Sequence, residues 1–460
     1  MEKHSRTEKA IHFLKSPFYL ITLAVLAFFG FLLPYPYSFI PSILFGLLSF
    51  LHLIQKDGIY YIASFLLIIP SSNKPFRAKD VPLPLVLSIS LVFFSLILFL
   101  IIWKVKRRTG FIFYLLLSFL LLILASYIIN AIERDRNYRQ CWFFIIFFLA
   151  EIFIYRRRCS ATSGRKGLDY LSIVSSALAI LLFLEVSFTL RTKETHHAFS
   201  PFDLSYDSGE AIASLIILTL PFLGYGIYKK RWYYCAFVLL DYFTLLVLGN
   251  TISLLFLLIG FVPLIFLSFH SYKGYYPYFL LVGLVVLLTP FCFLLFISQS
   301  FSESFLKSRQ AFSLLKKSNP NYHQIQNGIS FFESNYVIGS SLLSVTTESG
   351  FSMVPNGYIQ IGVISGSLGL TSYLFADLIR YLSARKGKTK ADSYFFLFFL
   401  ILHDLLNYLR DATTDWTIFL LRRIVISTFQ GCCEEGERII HDDFKDILDD
   451  NNAQFPAIPN

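Results

Sequence analysis

The chain has 460 residues, of which 55% are hydrophobic and only 15% are charged, and its mean hydropathy is +0.60. Soluble globular domains carry about 25% charged residues, so this composition excludes that class and predicts a polytopic integral membrane protein. A net charge of +10 alone would be compatible with nucleic-acid binding. The basic residues occur in short clusters between apolar runs, however, which is typical of cytoplasmic loops of membrane proteins, so we expect no nucleic-acid partner.

The apolar runs predict an all-α fold with about 12–14 transmembrane helices, because about 20 apolar residues cross a bilayer. No small-residue cleavage site follows the basic N-terminus, so the first helix is expected to be retained. Gly249 and Asn250 alone separate two of the runs, which should form a tight antiparallel hairpin. The candidate spans are residues 17–33, 37–54, 59–69, 81–103, 111–131, 141–155, 168–190, 209–228, 232–248, 251–269, 275–298, 355–379, 392–409 and 414–429.

The last candidate span contains Arg422 and Arg423. Each arginine costs about 2.5–3.5 kcal/mol at the centre of a membrane helix, so we expect this run to end early with both arginines at the cytoplasmic interface. Residues 1–430 would then form the membrane domain. Residues 431–460 would form an acidic cytoplasmic tail that is disordered or a short helix.

The distribution of Lys and Arg predicts the orientation of the chain. When the spans alternate across the bilayer, basic residues are more frequent on the side that holds the N-terminus, which places that terminus in the cytoplasm. The segment 299–352, the only long polar stretch before the tail, then faces the outside and forms one large extracytoplasmic loop.

Metal and cofactor sites are not indicated. The six cysteines show no paired C-x-x-C spacing, and the adjacent His196 and His197 lack a second pair of ligands, so we expect no metal, no cofactor and no disulfide framework.

Two groups of arginines on the predicted outer side are candidates for anion binding, because a guanidinium presents a planar donor fork that matches phosphate oxygens. The first group is Arg134, Arg136 and Arg139, whose alternative role is that of an ordinary solvated loop. The second is Arg309, within an apolar and basic pattern that predicts an amphipathic helix ending at Asn319-Pro320. This helix would lie on the outer membrane surface, either as a lid without chemistry or with Arg309 at an anionic headgroup.

The stretch from Pro355 to Leu370 lies where the long polar segment returns to apolar sequence. Asn356 is expected at the start of a helix, where an amide can cap free N–H groups beside the positive end of the dipole. Gly366 and Gly369 would lie on one face and admit a neighbouring backbone. The pattern is compatible with an ordinary packing helix and with a site for a phosphate group.

These residues resemble the O-antigen ligase and Wzy-type polymerase superfamily. The family signature begins with His followed by one of Asn, Ser or Gln. After a spacer of nine residues comes Gly, and after two more residues comes one of Gly, Thr or Tyr. Asn356, Gly366 and Gly369 fit this signature. Tyr358 and Gln360 match its usual continuation, and the stretch Phe331–Ser341 with Gly339 is similar to the segment that precedes it. The resemblance in architecture covers about residues 10–410.

The resemblance implies a membrane glycosyltransferase in the bacterial cytoplasmic membrane. Its donor would be an undecaprenyl-pyrophosphate-linked oligosaccharide, transferred to a sugar hydroxyl on the outer face of the lipid bilayer, with a flippase and a chain-length regulator as partner proteins. Arg309 would hold the pyrophosphate, with Arg134, Arg136 and Arg139 as the second choice. Asn356 would orient the site, and the remaining substrate-binding residues would be Tyr358, Gln360, Gly366 and Gly369.

Two positions depart from the family pattern. Pro355 replaces the signature His, and Thr251-Ile252 replaces a Ser-Arg pair of a middle span. The base must therefore come from elsewhere: Glu348 is the first candidate, with His323 and Glu333 behind it.

Three alternatives to polymerase activity remain. The first is ligase-type transfer of a glycan to another acceptor. The second is a flippase or transporter of lipid-linked sugars, which the few ionisable residues within spans, Glu185, Asp241, Asp377 and Asp404, do not favour. The third is a peptidoglycan polymerase of the shape-and-division type, in which Asp203, Asp207 or Glu210 would be the essential carboxylate.

Overall fold

The computed structural model describes part of the chain. These residues are 17–32, 111–131, 161–192, 208–272, 274–311, 313, 316–319, 321–339, 346–347, 350–351, 354–385 and 390–409, with single positions at 40, 41, 44, 48, 421, 422 and 425.

The described residues are almost entirely helical. The one sheet among them is an antiparallel pair of two-residue strands, β1 (Thr346–Thr347) and β2 (Gly350–Phe351). The helices are α1 (Pro17–Leu32), α2 (Phe111–Ala131), α3 (Ala161–Thr192), α4 (Ser208–Tyr228), α5 (Tyr234–Leu248), α6 (Thr251–Ser271), α7 (Tyr276–Ile297), α8 (Gln299–Ala311), α9 (Tyr322–Ser334), α10 (Gly357–Arg385) and α11 (Lys390–Leu409).

Four stretches within these helices are long and apolar enough to cross a membrane, namely Gly167–Leu184, Thr251–Ser271, Tyr276–Ile297 and Gly357–Ile379. The helix α7 shows why lipid is its expected surrounding, because most of its large apolar side chains are exposed. Phe296 is 90% exposed and Phe293 is 61% exposed. Apolar surface of this extent on a soluble protein would promote association.

The core forms where α4 packs against α3, α5, α6 and α11. Side chains of α4 such as Ile216 and Leu223 are completely buried, as are Leu178 of α3 and Phe399 of α11. Small residues allow some of these contacts. A Cβ on Gly260 of α6 would lie 2.6 Å from the side chain of Leu220 in α4, so the glycine admits the neighbouring leucine.

The hairpin predicted around Gly249 and Asn250 is confirmed. Gly249 ends α5 in a left-handed conformation with φ 65°, and its amide bonds back to the helix. Asn250 begins α6, because its Oδ1 accepts a hydrogen bond from the Ser253 amide at 3.1 Å. The helix α8 packs on this hairpin, and the Ser304 hydroxyl donates to the Gly249 carbonyl at 3.3 Å.

Other predicted spans agree with described helices to within a few residues at most of their ends. These are 17–33, 111–131, 168–190, 209–228, 232–248, 251–269, 275–298 and 392–409. The candidate spans 37–54 and 414–429 have only single described positions, and the spans 59–69, 81–103 and 141–155, together with the tail 431–460, lie outside the described residues.

Two predictions about the 299–385 region are corrected. The amphipathic helix α8 ends at Ala311, whereas the sequence pattern predicted an end at Asn319-Pro320; Ser313 to Asn319 bond locally in turns. The predicted single span 355–379 is a helix broken at Gly366, which has φ 68° and ψ −172°. The two parts are here called the first arm, 357–365, and the second arm, 367–385.

The two arms bend toward each other. Tyr381 in the second arm donates a hydrogen bond to the Asp404 carboxylate of α11, and Tyr358 in the first arm lies beside the same carboxylate. These two tyrosines would lie about 35 Å apart in a straight helix. The break therefore folds the helix and brings residues from both arms to one place on α11.

Candidate functional site

The helix start predicted at Asn356 is confirmed. Its Oδ1 accepts hydrogen bonds from the amides of Tyr358 at 3.1 Å and Ile359 at 3.0 Å, which satisfies two of the free donors of the first turn. Its Nδ2 donates to the Tyr408 carbonyl at 2.7 Å. The side chain is 2% exposed, so Asn356 joins the start of α10 to the end of α11 rather than opening onto solvent.

Gly366 has a different role from the one predicted. It does not lie on a helical face with Gly369, because its backbone occupies a region that only glycine adopts readily. A Cβ on Gly366 would collide with the Val337 carbonyl, and the Ser367 amide donates to the Tyr336 carbonyl at 2.6 Å. The predicted close approach of a neighbouring backbone is therefore present, and the turn 335–339 provides it.

Gly369 allows close packing just after the break. A Cβ at this position would collide with the Ser365 side chain and lie 3.4 Å from the ring of Phe119 in α2. The Phe119 ring also lies 5.6 Å from that of Tyr373. Gly369 thus fixes how the second arm leaves the break against α2.

A buried ion pair joins Asp377 of the second arm to Arg422. The Arg422 guanidinium donates to the Asp377 carboxylate and to the Tyr373 hydroxyl, and its carbon lies 4.9 Å from the centre of the Tyr373 ring. Arg422 is 1% exposed. The charge of Arg422 is therefore neutralised inside the protein by a carboxylate rather than by water. That Arg422 lies at the cytoplasmic interface stays a prediction, because burial inside the protein does not fix a residue's depth in the membrane.

His403 and Asp404 connect this ion pair to the first arm. The His403 Nε2 lies 3.4 Å from an Arg422 nitrogen, and its Nδ1 lies 3.4 Å from the Asp404 Oδ1. The second oxygen of Asp404 accepts a 2.5 Å hydrogen bond from Tyr381. We call the set Tyr358, Tyr373, Asp377, Tyr381, His403, Asp404 and Arg422 the ionic cluster.

The ionic cluster adjoins the motif helix through Asn407. This residue is completely buried one turn after His403, and a Cβ on Gly357 would lie 2.9 Å from its Oδ1. Gln360 is buried in the same first arm, where its Oε1 accepts from the Val354 amide at 3.0 Å and its Nε2 has no hydrogen-bond partner among the described residues. The start of the first arm, at Gly357 and Tyr358, therefore lies against polar side chains of α11, whereas the Gln360 side chain bonds to the segment before the helix.

The other predicted site residues lie elsewhere or outside the described residues. Arg309 is exposed in the last turn of α8, where the negative end of the helix dipole stabilises a cation. The helix α8 packs on α6 and α7, whereas α10 packs on α2, α9 and α11. The exposed side chains of His323 and Glu333 lie on α9. Arg134, Arg136, Arg139 and Glu348 lie outside the described residues.

Sequence reasoning missed His403, Tyr373 and Tyr381 as site residues. It recognised Asp377, Asp404 and Arg422 as charges in apolar runs but did not place them together. That signal was available, because ionisable residues inside membrane segments face protein interiors and pair with one another. Which of them pair depends on the break at Gly366, and no sequence spacing predicts it.

The arrangement offers side chains that can exchange protons. Among the described residues, no His, Cys, Asp and Glu side chains gather into a group suited to a metal ion. The histidine and carboxylates can exchange protons, and the Arg422 guanidinium neutralises Asp377.

Comparison with known proteins leaves the function to be argued from this site. The chain matches no protein-family model, no curated protein and no solved structure.

Proposed function

We propose that this chain is a membrane glycosyltransferase that joins undecaprenyl-pyrophosphate-linked oligosaccharide repeat units at the outer face of the bacterial cytoplasmic membrane. The observation that carries the proposal is the geometry of the motif. Asn356 caps the helix, Gly366 breaks it, and the bent helix lies against a buried cation, a histidine and two carboxylates. A motif used only for lipid-facing packing has no need of such neighbours.

The reaction needs little chemistry from the protein. The hydroxyl oxygen of the acceptor sugar forms a bond to the anomeric carbon of the donor, and the bond from that carbon to the pyrophosphate oxygen breaks. The electron pair leaves with undecaprenyl pyrophosphate, and the hydroxyl proton passes to a base. Pyrophosphate is a good leaving group, so positioning of the two lipid-anchored chains and a cation at the departing charge supply much of the rate.

Arg309 is the proposed pyrophosphate ligand. It is exposed on α8, and α8 is held to the turn that begins α6 by contacts from Ser304 to Gly249 and Thr251. That turn carries Thr251-Ile252, where the family has its Ser-Arg pair. Arg309 lies five residues after Ser304 on the same helix, and we propose that it takes the role of the missing arginine.

Two carboxylates compete for the role of base. Glu348 follows β1, outside the described residues, at the edge of the polar segment. Asp404 is 26% exposed on its side chain and contacts Tyr358 of the motif helix. We retain Glu348 as the base on the outer side, and Glu348→Gln compared with Asp404→Asn separates the two.

The test is repeat-unit polymerisation by the purified full chain in lipid vesicles with a synthetic undecaprenyl-pyrophosphate oligosaccharide, read as product length on a gel. The wild-type chain should extend the oligosaccharide, and Arg309→Ala should reduce extension about 10²-fold or more, as removal of one transition-state charge contact does. Lys307→Ala, an exposed cation on the same helix, is the matched control and should keep activity. Absence of polymer from the wild-type chain would refute the proposal, and single transfer to a different acceptor would indicate a ligase.

Transport of a lipid-linked sugar is the second candidate, and a specific observation favours it. Asp241, Asp377, His403 and Arg422 are ionisable groups buried among apolar helices, which is typical of proton pathways in transporters. Movement of a fluorescent lipid-linked sugar between leaflets of the same vesicles distinguishes this candidate. Translocation without polymer supports transport, and polymer without translocation excludes it.

The peptidoglycan polymerase alternative stays a hypothesis. Asp203 and Asp207 lie outside the described residues, and Glu210 lies in the first turn of α4.

A further inference from the structure

The turn between α6 and α7 carries a basic and aromatic surface at one end of two candidate membrane spans. Thr251–Ser271 and Tyr276–Ile297 are both long and apolar enough to cross a membrane, and residues 272–275 separate them. The helix α4 ends beside this turn, because the Tyr272 hydroxyl donates a 2.6 Å hydrogen bond to the Tyr228 carbonyl. When the two spans cross a bilayer, this surface lies where the hydrocarbon ends, which is the level of the lipid headgroups.

Lys230 occupies a backbone position that glycine usually takes. Its φ is 60°, in the left-handed region, and it comes directly after the last turn of α4. Its amide donates to the Ile227 carbonyl at 2.8 Å, and the Arg231 amide donates to the Gly226 carbonyl at 3.2 Å, which is the Schellman pattern of a helix end. Glycine adopts this conformation without strain, so the lysine adds strain and supplies an ammonium group at a fixed place.

Two ammonium groups lie over aromatic rings at this end of the molecule. The Lys230 Nζ lies 4.5 Å from the centre of the Tyr272 ring, and the Lys229 Nζ lies 5.3 Å from the centre of the Tyr225 ring. Both lysines are exposed, and neither pairs with a carboxylate in the part of the chain that the structure describes. These two cations are therefore open to an anion from outside the protein.

Exposed aromatic side chains belong to the same two turns as the lysines. Trp232 follows the lysines and is 72% exposed, and Tyr275 follows Tyr272 and is 91% exposed. Such rings, with an apolar body and a polar atom, favour the boundary between lipid tails and water. A free phosphate ion would use the positive charge but not the aromatic surface. The combination fits a molecule with an anionic head and apolar tails.

We propose that Lys229 and Lys230 bind the phosphate of an anionic phospholipid of the surrounding bilayer. Arg231 takes no part, because its guanidinium is bound to the Asp169 carboxylate at 3.0 Å. In the orientation predicted from the distribution of Lys and Arg, this surface faces the cytoplasm. Anionic lipids give the cytoplasmic leaflet a negative surface potential, which attracts basic residues beside membrane spans.

This lipid site goes beyond the proposed function and does not depend on it. It lies at the opposite end of the α5–α6 hairpin from the Gly249-Asn250 turn, on which α8 with Arg309 packs. No residue is shared with the motif helix or with the ionic cluster. A bound lipid would hold the ends of α4, α6 and α7 together at the membrane surface.

The test is native mass spectrometry of the purified full chain in detergent, titrated with phosphatidylglycerol as the anionic probe and phosphatidylcholine as its zwitterionic counterpart. The wild-type chain should bind phosphatidylglycerol about 25-fold more tightly, because each lysine near an anionic lipid contributes about fivefold. Lys229→Gln combined with Lys230→Gly should remove most of this preference. Lys229→Arg combined with Lys230→Arg keeps both charges and should keep the preference.

The variants are chosen so that loss of folding does not hide the result. Lys230→Gly alone relieves the left-handed strain, so it should fold and lose about fivefold in preference. Lys316→Gln combined with Lys317→Gln is the matched control, because it removes the same charge from an adjacent pair of exposed lysines after α8. This control should keep the preference for phosphatidylglycerol.

Three outcomes would overturn the proposal. The first is equal binding of the two lipids by the wild-type chain. The second is an equal loss of preference in the Lys316 and Lys317 control, which would indicate general attraction to a basic protein. The third is full displacement of phosphatidylglycerol by inorganic phosphate, which would indicate a site for a free anion. Polymer formation is measured separately, so the failure of either result does not decide the other.

Discussion

Gly339 packs directly against Gly366: a Cβ on Gly339 would lie 2.5 Å from the Gly366 amide nitrogen and 2.6 Å from the Ile364 carbonyl oxygen. Both residues have positive φ, 87° and 68°. The turn that ends the 335–339 stretch is thus inserted at the break of the motif helix, backbone to backbone. Neither position has room for a side chain.

Gly366→Ala should be strongly destabilising. The strained backbone costs about 1–3 kcal/mol for a residue other than glycine, and the collision with Val337 adds to this. Gly283→Ala is the matched control, because a Cβ there has nothing within 4 Å and alanine favours a helix. The measurement is the midpoint temperature of thermal unfolding in detergent, read by size-exclusion chromatography. Equal midpoints for the two variants would show that α10 is not broken at Gly366.

Asp377→Asn should cost about 3–5 kcal/mol of stability, because it leaves the buried Arg422 charge without its counter-ion. Asp169→Asn removes the partner of Arg231 in a pair whose side chains are 41% and 40% exposed, and should cost less than about 1 kcal/mol. Chemical unfolding of both variants in the same detergent compares them. A double variant Asp377→Asn with Arg422→Met should recover much of the loss, and failure to do so would mean that the ion pair is not the cause.

Asn356→Ala should lower stability by about 1–2 kcal/mol, the usual range for loss of a helix cap. Asn250→Ala removes a similar cap at the start of α6 and provides the comparison. If the motif is the site, polymer length should fall with Asn356→Ala well beyond the change caused by Asn250→Ala at equal amounts of folded protein. Equal losses of polymer length in the two variants would show that Asn356 acts only as a helix cap.

Asp241→Val should raise stability by about 1–3 kcal/mol, because both carboxylate oxygens of Asp241 are buried without a hydrogen-bond partner among the described residues. Asp241→Asn keeps the shape and a polar group, so it should gain less. Thermal midpoints in detergent measure both. If the Asp241 carboxylate carries protons, Asp241→Val should be more stable than the wild-type chain but inactive in a transport assay.

Much of the fold followed from local chemistry. The apolar runs predicted most of the described helices because a membrane helix must satisfy its own backbone and cover itself with apolar side chains. The Gly249-Asn250 turn and the Asn356 cap were also predictable, since each depends on residues adjacent in sequence. The amphipathic helix was predicted too long because its pattern continues through the turn residues after Ala311.

The sequence by itself determined that the described residues are almost entirely helical, that four of these helices are long and apolar enough to cross a membrane, and that a helix starts at Asn356. These properties depend on composition and on neighbours within a few residues. Only the tertiary structure decided what meets that helix. The break at Gly366 requires the turn at Gly339, and the pairing of Asp377 with Arg422 and of His403 with Asp404 requires both arms, α11 and residue 422 together. Contacts between residues so far apart depend on packing geometry, which spacing along the chain does not encode.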